Sequence, residues 1–421
     1  MKKTIVILLL LVSSITFSQD ISGQWNGVLE VQGTSLHLNF NINKTASGFD
    51  STMDSPDQGA KGIPVTTTTF ENRVLKLTIT NAGIEYEGNL DANNQFIGNF
   101  KQAGRTFPMN LSFSKIEKEL VEETSKEVNV NYIETDIVLE TKTGKLFGTL
   151  TTPKQFSKIP VALIIAGSGP TDRNCNNSMM KSDAYKKLAH ELAEKNIATI
   201  RYDKRGIAAS TAAGLSESEL RFENYVTDAN DWIQLLKKDK RFSKITIIGH
   251  SEGSTIGIMA ATNADNYISI AGPGQSADKA LKEQLGAQSK EIQEATFPII
   301  ESLANGKIVE DVDPNFNSLF RKSVQPYLIS WFQYDPQLEI KKLNIPILII
   351  QGTNDIQVSV DDAKRLSNAN PKAKLLLIEK MNHIFRVSEG DRQANIATYD
   401  KPNLPLAPEL VKAISDFILK K

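Results

Sequence analysis

Apolar and polar residues alternate through residues 20–118. Period-two runs predict five short strands in this zone, separated by turns rich in Thr, Asn and Gly. The predicted strands cover residues 24–31, 35–42, 74–80, 84–90 and 95–102. Because no stretch of the zone has helical periodicity, we predict a small all-β domain, either a barrel or a sandwich.

The pattern changes at residue 133, where apolar runs begin to alternate with amphipathic segments. Residues 136–141 and 145–151 predict a hairpin. Further strands are predicted at 161–166, 198–202, 245–248, 267–271, 345–350 and 375–378, and helices at 183–195, 222–237 and 410–419. Apolar strands alternating with such helices are typical of a mostly parallel, doubly wound sheet. Residues 133–421 are therefore predicted to form an α/β domain.

About seventy residues between the strands at 267–271 and 345–350 exceed what this alternation needs. They are helical in pattern over 278–303 and 317–332. The insertion is rich in aromatic residues: Phe297, Phe316, Phe320, Tyr327, Trp331, Phe332 and Tyr334. An insertion of this length predicts a cap, at about residues 275–340, over the carboxyl edge of the sheet, where such folds bind ligands.

Residues 1–18 have the pattern of a secretory signal peptide. Two lysines precede an apolar run at residues 5–12, and Thr16 and Ser18 are the small residues expected before a cut at Gln19. The run is too short for a permanent membrane anchor. The alternative is a short buried N-terminal helix. We expect export to a bacterial periplasm or to the medium, and a charged linker at residues 119–132.

Charge and cysteine content restrict the classes of partner. The formal net charge is −1 and Lys and Arg are not clustered, so neither nucleic-acid nor anionic-membrane binding is indicated. Cys175 is the only cysteine, which excludes an internal disulfide and metal sites built from several cysteines. Export without disulfides fits a bacterial periplasm.

A Gly-x-Ser-x-Gly pattern stands at residues 249–253, between a predicted strand and an apolar helical segment. In that context Ser251 occupies a sharp turn above the sheet, where side chains in place of Gly249 or Gly253 would collide with the neighbouring strand and helix. The N–H of Glu252 then faces negative charge that develops on a substrate. The alternative is a glycine-rich turn in a core. We predict that Ser251 is a nucleophile.

With this motif, residues 133–421 resemble the α/β-hydrolase family. Within that family, the chain is similar to exported bacterial esterases and serine-peptidase-like hydrolases that carry a β-rich N-terminal domain. The resemblance implies that an acid and then a histidine follow the nucleophile along the chain.

The four histidines are His37, His190, His250 and His383. Only His383 follows Ser251, and it lies in a loop after the predicted strand 375–378. Because the base must reach the serine hydroxyl at the same edge of the sheet, we predict that His383 is the base. The alternative is a structural loop histidine. His190 lies in mid-helix, and His250 is expected to point away from the site.

The acid that orients the base is predicted to be Asp355. It follows the strand at 345–350 and precedes His383 by 28 residues, which is one strand–helix–strand unit. That spacing places the two loops side by side. The rivals are Asp335 in the cap and the pair Asp361 and Asp362, which open a helix.

The family resemblance implies a second oxyanion donor, the N–H of Ser168, beside that of Glu252. Ser168 lies in a loop directly after a predicted strand, and Gly167 and Gly169 would let the backbone approach the substrate. A dinucleotide-binding loop is the competing interpretation. It is disfavoured because Asp172 stands where the third glycine of such a loop belongs.

Residues 203–206 read Asp-Lys-Arg-Gly and follow the predicted strand 198–202. Similar hydrolases have Asp-x-Arg-Gly-x-Gly-x-Ser here, and Ala208 takes the place of the second glycine. We expect Asp203 and Arg205 to brace this loop by charge-assisted hydrogen bonds, and Arg173 to form a structural ion pair.

These residues predict a serine hydrolase that cleaves carboxylic esters through an acyl-enzyme on Ser251. Esters are favoured over peptides because they are more activated and because the resembled group is rich in esterases. The alternative is a serine aminopeptidase or acyl-peptide hydrolase acting on small peptides. Trp331 and Phe332 are predicted to bind a small-molecule ester, and no metal or organic cofactor is implied. Glycan binding by the N-terminal zone is disfavoured because Trp25, its single tryptophan, is expected to plug the barrel.

Overall fold

The computed structural model describes residues 20–31, 34–45, 48–55, 60–102, 105–114, 131–177, 180–286 and 288–420. These residues fall into two compact units, divided between Lys126 and Glu127. The predicted signal peptide, 1–18, and residues 119–130 of the predicted linker lie outside the described ranges. Within those ranges, no helix has both the length and the apolar character needed to span a bilayer.

The N-terminal unit is an antiparallel half-barrel with its apolar side chains inside. Its strands are β1 (Gly23–Val31), β2 (Thr34–Thr45), β3 (Gly48–Ser55), β4 (Ala60–Pro64), β5 (Thr67–Glu71), β6 (Val74–Ile79), β7 (Ile84–Leu90), β8 (Gln95–Gln102), β9 (Arg105–Pro108) and β10 (Leu111–Ser114). They pair in the order β4-β3-β2-β1-β10-β8-β7-β6-β5, with β9 on β8. Trp25 is buried in this core, and its Nε1–H donates to the carbonyl of Ile21 at 2.9 Å. Trp25 therefore fills the interior, as the sequence predicts.

The five predicted strands of this unit are present, and β3, β4, β5, β9 and β10 are additional. Some buried positions of the additional strands are polar and hydrogen-bonded. The hydroxyls of Ser51 and Thr68 lie 2.8 Å apart, and the Asp54 carboxylate accepts the N–H of Gly62 at 2.6 Å. Polar side chains at inward positions break the apolar alternation from which strands are predicted.

An eight-stranded sheet forms the centre of the C-terminal unit. The strands of the whole unit, eight in this sheet and two in a separate pair, are β11 (Tyr132–Thr141), β12 (Gly144–Pro153), β13 (Ile159–Ile165), β14 (Asn176–Asn177), β15 (Met180–Lys181), β16 (Ala198–Tyr202), β17 (Phe242–His250), β18 (Asn266–Ile270), β19 (Ile347–Gly352) and β20 (Lys374–Ile378). The sheet order is β11-β12-β16-β13-β17-β18-β19-β20, and β14 pairs only with β15. Strands from β16 to β20 along this order are parallel. The antiparallel pairs are β11 with β12 and β12 with β16.

Helices cover both faces of this sheet. They are α1 (Ala184–Ala193), α2 (Phe222–Lys238), α3 (Glu252–Ala260), α4 (Ala277–Gly286), α5 (Lys290–Ala304), α6 (Asn317–Phe320), α7 (Gln325–Phe332), α8 (Pro336–Ile340), α9 (Val360–Ala369), α10 (Arg392–Ala397) and α11 (Pro408–Leu419). Side chains of α1 and α11 share one core, and those of α2, α3 and α9 share the other. The predicted fold class, a mostly parallel doubly wound sheet, is confirmed.

Helices α4 to α8 lie between β18 and β19, where the sequence predicts a cap. The segment that is helical in pattern over 278–303 contains two helices. Helix α4 ends at Gly286, and glycine is a poor helix former. The segment that is helical in pattern over 317–332 also contains two helices, α6 and α7. Pro326 stands in the first turn of α7, the one part of a helix that tolerates a residue without an N–H.

Many predicted boundaries differ from the observed ones by one to four residues. The strand predicted at 345–350 is observed as β19, two residues later. Pro346 cannot donate a ladder hydrogen bond, so regular pairing begins after it. The linker predicted at 119–132 ends earlier, because Tyr132 already belongs to β11.

Candidate active site

Ser251 occupies the turn between β17 and α3 in a strained backbone conformation. Its φ is 54° and its ψ is −125°, a region that residues other than glycine seldom adopt. A hydrogen bond stabilises this conformation, since the Ser251 N–H donates to the carbonyl of Ile270 at 3.0 Å. A Cβ atom on Gly249 would lie 2.3 Å from the carbonyl oxygen of Gly253. A Cβ on Gly253 would lie 2.3 Å from that of Ile165. The sequence Gly-x-Ser-x-Gly is therefore what lets strand and helix meet at this turn.

His383 and Asp355 lie in the loops that follow β20 and β19, and their side chains meet. The Nδ1 of His383 is 2.8 Å from the Oδ2 of Asp355. The carboxylate also accepts the N–H groups of Gln357 at 2.8 Å and Val358 at 3.0 Å, and the Nε2–H of Gln351 at 3.1 Å. Asp355 is thus fixed on several sides.

This environment keeps Asp355 ionised. Burial opposes its charge, but nearby His383 and the hydrogen bonds from His383, Val358 and Gln357 outweigh burial and lower the pKa of Asp355. An ionised carboxylate only accepts hydrogen bonds, so Nδ1 of His383 carries the proton. In the neutral ring Nε2 then has a free lone pair.

The rival acids do not contact His383. Asp335 caps α8 by accepting the N–H of Gln337 at 2.9 Å. Asp362 belongs to the capping box of α9, and Asp361 pairs with Lys364 on the surface of that helix.

His250 is buried beside His383, with the two ring centroids 4.6 Å apart. Its Nε2 lies 2.9 Å from the carbonyl oxygen of His383, and its Nδ1 lies 2.6 Å from the hydroxyl of Tyr185. A carbonyl can only accept, so Nε2 carries the proton and Tyr185 donates to Nδ1. Burial, together with the nearby His383, lowers the pKa of His250 to about 3. The expectation that His250 points away from the site is wrong, because this neutral ring supports the loop of the predicted base.

The two predicted oxyanion donors lie near Ser251. Ser168 and Glu252 line the same cavity as Ser251. Glu252 is the first residue of α3, so the helix offers no carbonyl to its N–H. The loop that contains Ser168 lies against the serine, since a Cβ atom on Gly167 would be 3.1 Å from the Cβ of Ser251.

A cavity of about 890 Å³ opens at Ser251, between the sheet edge and the cap. Much of its wall is apolar: Leu215, Leu220, Leu281, Leu319, Leu328 and Trp331. This volume is in the range of pockets that enclose small organic ligands.

Two of the four predicted substrate contacts line this cavity, Gly169 and Trp331. Phe332 does not: its side chain is 6% exposed and packs in the core. Consecutive helical residues project about 100° apart, so Trp331 and Phe332 face different surroundings. Gly167 is also absent from the wall, and both its backbone polar groups are bonded within the protein. The prediction is wrong for Phe332 and Gly167.

Two sequence matches relate this chain to known hydrolases. Residues 178–284, which include Ser251, match the family described as serine aminopeptidase, S33. The chain is 27% identical over 259 residues to the esterase EstD of Thermotoga maritima, and the match covers 58% of each chain. The chain therefore spans less than two thirds of the length of this relative. The chain is a member of the α/β-hydrolase superfamily.

Solved structures with lower similarity include Est1E from Butyrivibrio proteoclasticus. One Est1E structure is 18% identical with a TM-score of 0.46, and the match covers 66% of this chain and 96% of that one. A second, with ferulic acid bound, is 19% identical with a TM-score of 0.49, covering 68% and 100%.

A buried ionic cluster, Lys204 with Glu252 and Tyr327, stands beside the elbow of this α/β-hydrolase. The Nζ of Lys204 lies 3.6 Å from Oε2 of Glu252 and donates to the carbonyl of Gly167 at 2.6 Å. The hydroxyl of Tyr327, on cap helix α7, donates to the other oxygen of Glu252. Burial lowers the pKa of Lys204, and the Glu252 carboxylate opposes that shift.

The loop after β16 is braced by two further ion pairs. Arg173 donates to Asp203 through Nη2 at 2.7 Å and through its backbone N–H at 2.7 Å. Arg205 donates to Asp228 through Nε at 2.8 Å and also through Nη2. The predicted bracing by Asp203 and Arg205, and the ion pair of Arg173, are confirmed. Ala208, in the place of a glycine, has a φ of 45°.

Sequence patterns did not point to Tyr185, Lys204 or Tyr327. Lys204 alone has a usable signal, because it follows a buried strand at the edge of the sheet where sites form. Tyr185 and Tyr327 lie in segments of helical pattern, and nothing in the sequence distinguishes them from other residues of those helices. In the described ranges no group of three or more His, Cys, Asp or Glu side chains is arranged to hold a metal ion.

Proposed function

We propose that this α/β-hydrolase cleaves carboxylic esters through an acyl-enzyme on Ser251. The main support is the arrangement of Ser251 on a strained elbow at the wall of an apolar cavity, with the His383–Asp355 pair on neighbouring strand ends. Such an arrangement supplies a nucleophile, a base and an orienting carboxylate, which acyl transfer requires.

In the first step, Oγ of Ser251 bonds to the ester carbonyl carbon and its proton moves to Nε2 of His383. The carbonyl π electrons move onto oxygen, where the N–H groups of Ser168 and Glu252 stabilise the negative charge. When the carbonyl re-forms, the C–O bond to the alcohol breaks, and His383 gives its proton to the departing alkoxide. Asp355 stays ionised and stabilises the imidazolium.

The acyl-enzyme is released by the same steps with water. His383 takes a proton from water as its oxygen bonds to the acyl carbon. Collapse of the second tetrahedral intermediate breaks the bond to Ser251 Oγ, which regains the proton from His383. The products are a carboxylic acid and an alcohol, and the enzyme returns to its starting state.

The cavity favours an uncharged ester over a peptide with a free amino group. An aminopeptidase needs a carboxylate that can bind the substrate ammonium. Each carboxylate on the cavity wall already lies within 4.0 Å of a cation: Glu217 with Arg321, Glu252 with Lys204, and Glu283 and Asp362 with Arg365. The relative named an esterase, EstD, agrees with this choice, whereas the matched family description keeps aminopeptidase as the alternative.

Export remains part of this proposal, carried by the pattern of residues 1–18. Expression of the full chain in a bacterial host, followed by fractionation and N-terminal sequencing of the periplasmic material, tests it. A mature protein beginning at Gln19 is expected. Recovery of the intact chain, beginning at Met1, from the cytoplasm would contradict it.

Turnover of a series of p-nitrophenyl esters, short to medium in acyl length, and of aminoacyl anilides tests the function. We expect Ser251→Ala to lower kcat on the esters by at least about 10³-fold, and the wild type to leave the anilides intact. Ser243→Ala, an exposed serine on the same strand β17, is the matched control and should keep wild-type rates.

Two results would change the assignment. Anilide turnover that is lost with Ser251→Ala would keep the mechanism but make the protein a peptidase. Ester turnover that survives Ser251→Ala would overturn the proposal.

A further inference from the structure

The two peptide groups that flank Gly167 are each held by a buried side chain. The N–H of Gly167 donates to the hydroxyl of Tyr185 at 3.2 Å, and its carbonyl accepts from Nζ of Lys204 at 2.6 Å. Lys204 is 2% exposed, so this ammonium is fixed within the protein. Both polar groups of Gly167 therefore have a partner, and the backbone here has little freedom to rotate.

Fixing the carbonyl of Gly167 also fixes the N–H of Ser168. The two belong to one peptide group, and among the described residues every peptide bond is trans. In a trans peptide the C=O and the N–H point in opposite directions. With its carbonyl directed at Lys204, the peptide directs the Ser168 N–H away from Lys204.

The same ammonium reaches the second donor segment. Nζ of Lys204 is 3.6 Å from the carboxylate of Glu252, whose backbone N–H is the other predicted oxyanion donor. Lys204, Gly167 and Glu252 follow β16, β13 and β17, which are three adjacent strands of the sheet. One side chain thus joins the two backbone segments between which an oxyanion would form.

We propose that Lys204 is the positioning residue of the oxyanion hole. Its ammonium sets the orientation of the Gly167–Ser168 peptide and ties the Glu252 segment to it, so that both N–H groups face one point beside Ser251. Hydrogen bonding of a cation to the Gly167 carbonyl also polarises that peptide and strengthens the Ser168 N–H as a donor. The inference rests on the proposed acyl-transfer function.

A purely structural ion pair is the competing role for Lys204. Burying an ammonium costs a large desolvation free energy, and within the described residues Glu252 is its one carboxylate partner, at 3.6 Å. A methionine of similar length would fill the same space without that cost. A structural role predicts that Lys204→Met changes stability alone, whereas a positioning role predicts a specific loss of transition-state stabilisation.

Trifluoromethyl ketones separate the two roles, because Ser251 adds to their carbonyl and leaves an oxyanion in the hole. We would compare Lys204→Met, Lys204→Arg and wild type for kcat and KM on a p-nitrophenyl ester, and for Ki of a trifluoromethyl ketone with the same acyl chain. Lys279→Met, an exposed cap lysine, is the matched control and should match wild type.

We expect Lys204→Met to lower kcat by about 10- to 100-fold and to weaken the ketone by a similar factor, with KM within about twofold. This is less than the 10²–10³-fold loss for removal of an oxyanion donor, since the donors remain but are no longer fixed. Lys204→Arg keeps the charge and should recover most of the loss.

If Lys204→Met does not fold, Lys204→Met/Glu252→Gln serves in its place, because it removes the unpaired buried carboxylate while the glutamine oxygen can still accept from Tyr327. A folded variant of either kind with wild-type kcat and ketone affinity would overturn the inference alone. Absence of Ser251-dependent turnover in the wild type would instead overturn the proposed function, and the inference with it.

Discussion

Two neighbouring histidines of this site have partners of different charge. His383 faces the ionised Asp355, which stabilises a positive ring. His250 faces the hydroxyl of Tyr185 and a backbone carbonyl, neither of which compensates a positive charge. Burial, with His383 beside it, lowers the pKa of His250 to about 3. A neutral His250 adds no charge that would oppose protonation of His383 during catalysis.

The lowered pKa of His250 makes the protein sensitive to acid. In the unfolded chain His250 binds a proton below about pH 6.5, whereas in the folded chain it does so only below about pH 3. Its contribution to stability is full above pH 6.5 and is lost as the pH falls from 6.5 towards 3. Gln in place of His250 can make the same two hydrogen bonds and does not titrate.

Thermal unfolding of wild type and His250→Gln at pH 7 and pH 4.5 measures this effect. We expect the Tm of the wild type to fall by about 4 °C or more beyond the fall of the variant. Equal falls in Tm for the wild type and the variant would mean that His250 is protonated in the folded state at pH 4.5, contrary to its burial.

At the scale of elements, the sequence predicts the positions of site residues that depend on adjacent segments or on the common edge of a parallel sheet. The elbow at Ser251 is local, since β17, the turn and α3 follow one another. Asp355 and His383 come after successive parallel strands, whose carboxyl ends share one edge. The contact of Lys204 with Glu252 depends instead on β13 lying between β16 and β17, an order that a single sequence does not reveal.

Cap contacts are less predictable still. Helix periodicity indicates which face of α7 is apolar, yet it does not say that Tyr327 reaches Glu252 or that Phe332 packs into the core. These outcomes depend on how the cap helices cross, which is set by packing between distant segments. The additional strands of the N-terminal unit are missed for another reason, because buried polar residues such as Ser51 and Asp54 replace the apolar signal.

The hydrogen bond from Tyr327 to Glu252 joins the cap to the nucleophile elbow. Tyr327→Phe removes the hydroxyl that donates this hydrogen bond to the buried carboxylate of Glu252. We expect the free energy of unfolding of the C-terminal unit to fall by about 1.5–3 kcal/mol, the range for hydrogen bonds to charged groups.

Tyr334→Phe is the matched control, because Tyr334 also donates to a glutamate, Glu223, but at the surface. Its effect should stay within about 0.5 kcal/mol, since water replaces an exposed hydrogen bond. Urea unfolding of both variants makes the comparison. Equal losses would show that the buried contact contributes no more than the exposed one.

At the scale of the whole molecule, the two units have separate apolar cores. Phe40, Tyr86 and Phe96 belong to the core of the N-terminal unit, whereas Trp232 and Ile247 belong to one of the two cores of the C-terminal unit. Every residue of the proposed site and of the cavity wall lies between Gly167 and His383. The proposed chemistry therefore needs only side chains and backbone groups that one unit supplies.

A fragment of residues 127–421 should consequently fold and keep its activity. Its sheet, both layers of helices and the cap are contained in that segment, and a domain of this size buries enough apolar surface to be stable alone. We expect kcat and KM on p-nitrophenyl esters to remain within about twofold of the full chain. If the fragment is folded by circular dichroism but kcat falls tenfold or more, the N-terminal unit contributes to catalysis. If only KM on a natural polymeric ester rises while small esters are unaffected, the half-barrel binds that substrate away from Ser251, a role that burial of Trp25 argues against.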